Sequence, residues 1–160
     1  MRRVTREQAQ SIIINPFYAI QVGPQLVETH VPSMHDDEWI TGNAALIQKI
    51  GAEQWLASLL DVLQGNTLHE LVNPYHAINI DPMFAVEHPS VVSEEQWVQG
   101  NAMMLSQLGT EHWLQLLLNV LEGDYVTAGD VGMVTPLPGA SRIRYHISKQ
   151  RGTKRKKHKR

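Results

Sequence analysis

Hydrophobic positions along this chain follow two periods, and the same succession of periods is written twice. From Trp55 onward, apolar residues stand at 55, 56, 59, 60 and 63, the stripe of an amphipathic helix. The spacing predicts a helix over 52–64, ended by Gly65, and a copy over 110–122, ended by Gly123. Upstream, Trp39, Leu46 and Ile50 share a face with Asn43, which predicts a helix over 36–50 and its copy over 94–108. Acids crowd both starts, Asp36, Asp37 and Glu38 in one and Glu94 and Glu95 in the other. Carboxylates there offset the positive end of the helix dipole, and Ser93 is placed to cap the second copy. Gly51 and Gly109 sit where a left-handed C-terminal residue is expected, so each helix pair turns sharply on one residue.

Ahead of each pair stands Asn-Pro and then an alternating run, Phe17 to Val22 and Tyr75 to Ile80. The period of two and the β-branched and aromatic content predict extended lead-in segments with β character, kept short by Pro24 and Pro82. Residues 5–13 and 67–71 are read as short helices. Both stop before Asn-Pro, because the residue preceding proline resists the α region.

The recurrence is in register. A shift of 58 positions superposes 14–66 on 72–124 without a gap, and nineteen of the 53 pairs are identical. They include Asn15 with Asn73, His30 with His88, Trp39 with Trp97, Asn43 with Asn101, Glu53 with Glu111 and Trp55 with Trp113. Chance does not place both tryptophans and both turn-makers this way. A 53-residue unit with one apolar stripe per helix buries little alone. Two units face to face would enclose a shared core, in which each large side chain contributes roughly 1.5–3 kcal/mol. The fold class expected is mainly α: internally duplicated helix-turn-helix-type units with extended lead-ins, pseudo-twofold packing and a disordered basic C-terminal tail. The domain expected is 1–124, with repeat 1 at 14–66 and repeat 2 at 72–124. An extended linker or docking segment follows over 125–148, then the tail over 149–160. Two copies are too few for a solenoid.

Composition adds little to this picture until charge is divided along the chain. The hydrophobic fraction of 42 % supports a real core, and the absence of cysteine removes disulfides and thiolate chemistry. The polar N-terminus lacks the apolar stretch of a secretory signal, and no apolar run is long enough to span a bilayer. A soluble protein of the cytoplasm, or of the nucleus in a eukaryote, is expected. The formal net charge of −2 conceals an acidic body and a cationic end. Residues 7–141 hold all sixteen acids and a single base, Lys49, for −15; residues 142–160 hold ten bases and no acid.

The tail is the strongest candidate for a binding function. Eight of the twelve residues from 149 to 160 are basic: Lys149, Arg151, Lys154, Arg155, Lys156, Lys157, Lys159 and Arg160. Such a run suits nucleic acid or another polyanion, since it neutralises phosphates without reading sequence. It lacks interleaved aromatics, so base stacking is not indicated. The same string suits nuclear import, docking on the acidic body, or simple solubilisation.

Other candidates are weighed against blander roles. His30 and His88, with Glu28 and Glu87 nearby, would begin a metal or catalytic site if a pseudo-twofold brought them together. Their spacing fits no standard zinc pattern, and a loop histidine bonded to backbone is the favoured reading. Asn15 and Asn73 suit Asx turns. Asn43 and Asn101 lie on apolar faces and need partners, the lead-in being the expected one. Glu53 and Glu111 are read as dipole partners for their helices, and the four tryptophans as core rather than as an exposed partner groove. No phosphate loop, nucleophile elbow, HExxH or dinucleotide fingerprint is present. No catalytic residue, metal ligand or cofactor is assigned. The function expected is a non-enzymatic adaptor. Its helical body would bind a protein partner or self-associate, its tail would bind a polyanion, and no part would engage a membrane. The alternative is a small enzyme or metal-binding protein with a site at the seam around His30 and His88.

Overall fold

Helix ends in this chain are set by local chemistry, and the computed structural model, which describes residues 5–67 and 69–125, shows how. The order is α1 (Arg6–Ile14), α2 (Asp36–Ile50), α3 (Ala52–Leu63), α4 (Glu94–Leu108) and α5 (Thr110–Leu121). The protein is mainly helical, and none of the described residues forms a strand. Thr5 caps α1 through its Oγ1, which accepts from the Gln8 amide at 3.1 Å, while Gln8 Oε1 accepts from the Thr5 amide at 3.0 Å. Ser93 and Gln96 repeat this box at the start of α4, at 3.0 and 2.9 Å. The predicted spans of α2 and α4 match the observed ones, whereas α3 and α5 stop one residue short of the spans predicted for them.

Gly51 and Gly109 have the positive φ foreseen for them, 95° and 94°, but their ψ values of 150° and 142° are extended rather than left-handed helical. This region is open essentially to glycine alone. The result is a one-residue corner. The Gly51 amide donates to Ile47 of the helix it ends, and its carbonyl accepts from Trp55 of the helix it begins.

The lead-ins are not strands. Pro16–Tyr18, Pro24–Val27, Pro74–His76 and Pro82–Ala85 are 3-10 turns instead. Proline at the first position supplies the φ such a turn needs, and in the turns at Pro16 and Pro74 the preceding Asn side chain takes the free amide. Asn15 Oδ1 accepts from Phe17 at 2.9 Å and Asn73 Oδ1 from Tyr75 at 3.0 Å. Backbone groups that a sheet would have paired are used elsewhere. Gly23 N donates to Leu63 O and Asp81 N to Leu121 O, each at 2.8 Å, so the lead-ins satisfy carbonyls at the ends of α3 and α5. Val22 N donates to Phe84 O.

The expected helix at 67–71 is also absent: residues 70–72 form a turn. Gly65, at φ 84°, ends α3, and Asn73-Pro74 follows too soon for a helix of useful length. Helix α1, by contrast, packs on both α4 and α5. The α5 surface position at Leu116 is half-buried and apolar, whereas its counterpart 58 residues earlier is Ser58.

Buried residues from both halves form one hydrophobic cluster. Helix α3 packs most extensively against α4, and α2 against α5, so each half contributes to both layers. The four tryptophans form a continuous run through this core. Trp39 meets Trp55 edge-on at 6.1 Å, Trp55 meets Trp113 at 6.2 Å, and Trp113 meets Trp97 at 6.4 Å. All four are buried, as the helical spacing predicted. Edge-to-face indole pairs contribute about 0.5–1.5 kcal/mol beyond the area they bury. No described helix is long and apolar enough to cross a membrane.

Candidate functional site

Two histidines, His30 and His88, and two asparagines, Asn43 and Asn101, each kept in both halves, occupy built environments between the halves. The loop after the second 3-10 turn carries His30 across to the other half. Its ring stacks on Tyr75 at 3.7 Å, with the planes 15° apart. Nδ1 lies 3.0 Å from the Glu28 carbonyl oxygen, and Nε2 faces the Tyr75 carbonyl oxygen. The His30 amide donates to Asn79 Oδ1 at 2.9 Å. His88 makes the matching arrangement on Phe17, again stacked at 3.7 Å and 15°. Its Nδ1 lies 2.6 Å from the Val86 carbonyl oxygen, and its Nε2 lies 2.6 and 3.0 Å from those of Phe17 and Ile20. Each histidine therefore clips its own loop to the opposite lead-in. Both ring nitrogens face backbone oxygens, which suits positioning.

The carboxylates of Glu28 and Glu87 are not in the hydrogen bonds of these histidine rings. Glu28 enters through its backbone carbonyl, its side chain is exposed, and Glu87 is exposed as well. Among the described residues, no group of three or more His, Asp or Glu side chains is arranged to hold a metal ion.

The asparagines are fully buried. Asn43 donates through Nδ2 to the Trp39 and Leu71 carbonyls, each at 2.9 Å, and its Oδ1 accepts from Trp55 Nε1 at 3.0 Å. Asn101 donates to Trp97 O and Ile13 O, each at 3.0 Å, and accepts from Trp113 Nε1 at 3.3 Å. The partner across the structure is thus Leu71 or Ile13, just ahead of the Asn-Pro of the other half, and not the lead-in of the same half. Trp39 and Trp97 differ from the inner tryptophans: their buried Nε1 atoms have no hydrogen-bond acceptor among the described residues.

Glu53 and Glu111 lie exposed in the first turns of α3 and α5, whose glycine caps offer no side-chain bond, so each sits where it offsets the helix dipole. An open cleft of about 770 Å³ separates α2 from the start of α5, lined by Thr41, Ala44, Ala45, Gln48 and residues 109–112. A second, of about 600 Å³, lies beside residues 32–38 and Ala77.

Phe17 and Tyr75 act as histidine platforms, a role not expected from the sequence. The signal was present, since both stand at the same offset after Asn-Pro and both are aromatic. The eight basic tail residues, Lys149 to Arg160, and the segment 126–148 lie outside the described residues. Comparison with models of known protein families, with curated proteins and with solved structures found no match.

Proposed function

We propose that this chain is a non-enzymatic adaptor, built from two copies of one unit packed about a pseudo-twofold axis, whose tail engages nucleic acid or another polyanion. The carrying observation is the segregation of charge: ten bases and no acid in the last nineteen residues, behind a body that is strongly acidic. A basic run binds phosphate by counterion release, so its affinity falls steeply with salt. The acidic body repels phosphate and confines contact to the tail. The twofold reading is supported by in-register identity and by reciprocal contacts. Ser33 and Met34 amides donate to His76 O, while Val91 and Val92 amides donate to Tyr18 O, a pattern offset by 58 residues on both sides.

For the body, the reading is protein binding or self-association. The exposed apolar side chains Val31, Val91 and Met103, each more than half accessible, support it. The seam histidines are read as structural clips, because both ring nitrogens of each face backbone oxygens and each ring stacks on an aromatic of the other half.

The test removes residues 149–160. The truncated chain is expected to keep its thermal midpoint and to lose nonspecific duplex DNA and RNA binding at about 50 mM salt, where such contacts are strong. Equal binding by the truncated and full chains would refute the role given to the tail. Sedimentation of Met103→Glu and Val91→Glu variants beside the parent chain tests self-association through those side chains.

A further inference from the structure

The described residues carry fifteen carboxylates against two bases, Arg6 and Lys49, a formal charge of −13 with histidines neutral. This charge is spread over the surface. Exposed carboxylates occur on every helix and also on the loops, at Glu28 and Glu87 among others, and only Asp81 is buried. The last described residue, Tyr125, is held on the body: its ring meets Phe84, in the turn at Pro82–Ala85, edge-on at 5.6 Å. The cationic segment is therefore tethered at a known point.

Residues 126–160 follow that anchor. Thirty-five residues reach at most about 120 Å along the chain, far beyond a body whose gyration radius is about 14 Å. Short tethers of this kind hold two partners at millimolar effective concentration. Ten bases within reach of thirteen net negative charges constitute charge complementarity within one molecule.

We infer that the acidic surface of the helical body is the resting partner of the chain's own cationic tail. The interaction is intramolecular and spread over many carboxylates. A polyanion gains the tail by displacing it from the body, and this second step rests on the polyanion binding proposed above.

The chain has no cysteine, so Arg160→Cys gives one site for an acceptor dye, with the four buried tryptophans as energy donors. In the full-length labelled chain at low salt, energy transfer is expected to be high and independent of protein concentration. It should fall by at least about half as salt approaches 0.5 M, where screening shortens the Debye length several-fold, while far-UV circular dichroism stays constant. Transfer unchanged by salt would overturn the inference, as would transfer that rises with protein concentration. In the variant Glu28→Gln/Asp61→Asn/Glu70→Gln/Glu87→Gln, release is expected at lower salt; an unchanged release midpoint would overturn the charge basis. Duplex DNA is expected to lower transfer as salt does. If salt releases the tail but DNA and RNA do not, resting on the body stands and polyanion binding falls.

Discussion

Trp55 Nε1 donates to Asn43 Oδ1 at 3.0 Å in the centre of the core, and the same Asn43 amide reaches across to the Leu71 carbonyl at 2.9 Å. One buried side chain thus joins α2, α3 and the segment entering the second half. Asn43→Ala removes partners from a buried indole and a carbonyl. Each group left unsatisfied costs about 1–3 kcal/mol, so a total loss of about 2–4 kcal/mol is expected from urea denaturation. Asn101→Ala should cost less, because its indole bond is 3.3 Å long. A larger loss at Asn101 would contradict this ordering.

The indoles themselves divide in the same way. Trp55→Phe breaks a made bond and strands Asn43 Oδ1, whereas Trp39→Phe removes a buried donor that has no acceptor among the described residues. Trp39→Phe is therefore expected to be the milder change by about 1–2 kcal/mol. Equal losses in denaturant titrations would show that ring packing alone decides.

Three glycines kept in both halves predict opposite signs. Gly51→Ala and Gly109→Ala meet no atom within 4 Å, yet their φ values of 95° and 94° strain any L side chain. A loss of about 1–3 kcal/mol is expected. Gly100 lies inside α4 with open space around it. Gly100→Ala should stabilise by about 0.5–1 kcal/mol through helix propensity. Thermal midpoints that move the same way at 51 and 100 would refute the assignment.

The histidine clips make a prediction about loops. His88→Ala loses stacking on Phe17 and its contacts with backbone oxygens, and His30→Ala loses the same on Tyr75. About 1–3 kcal/mol is expected for each, by adding the one hydrogen bond that a ring with a single N–H donates to one ring contact. Faster amide exchange should appear at Val91 and Val92 in the first variant and at Ser33 and Met34 in the second, since those amides bond the opposite lead-in.

Because buried residues of both halves share one cluster, unfolding is expected in one step. Leu59→Ala in α3 and Leu117→Ala in α5 should each cost about 2–5 kcal/mol and shift a single transition. Two resolved transitions, or tryptophan fluorescence that does not coincide with helical circular dichroism, would show independent halves.

Much of this was legible in the residues. The stripe from Trp55 to Leu63, the acids before Trp39, Ser93 as a cap and the Asx turns at Asn15 and Asn73 are local, and local rules located them. The lead-ins misled, because an alternating run reports which side chains are buried and not what its amides bond. Val22 and Gly23 donate to Phe84 and Leu63, far away in sequence, and no sheet is formed. Residues 67–71 misled through their likeness to the segment ahead of Asn15, which becomes a helix packed on α4 and α5.

By itself the sequence determined where α2 to α5 start and, within a residue, stop, which residues are apolar enough to be core, and how charge is divided between body and tail. Those properties depend on neighbours within a turn or on simple summation. Only the tertiary structure decided that α2 lies on α5 and α3 on α4, that each histidine closes on an aromatic of the other half, and that Asn43 and Asn101 reach Leu71 and Ile13. Such pairings depend on which buried polar groups find acceptors once the halves meet, and no periodicity along a chain carries that information.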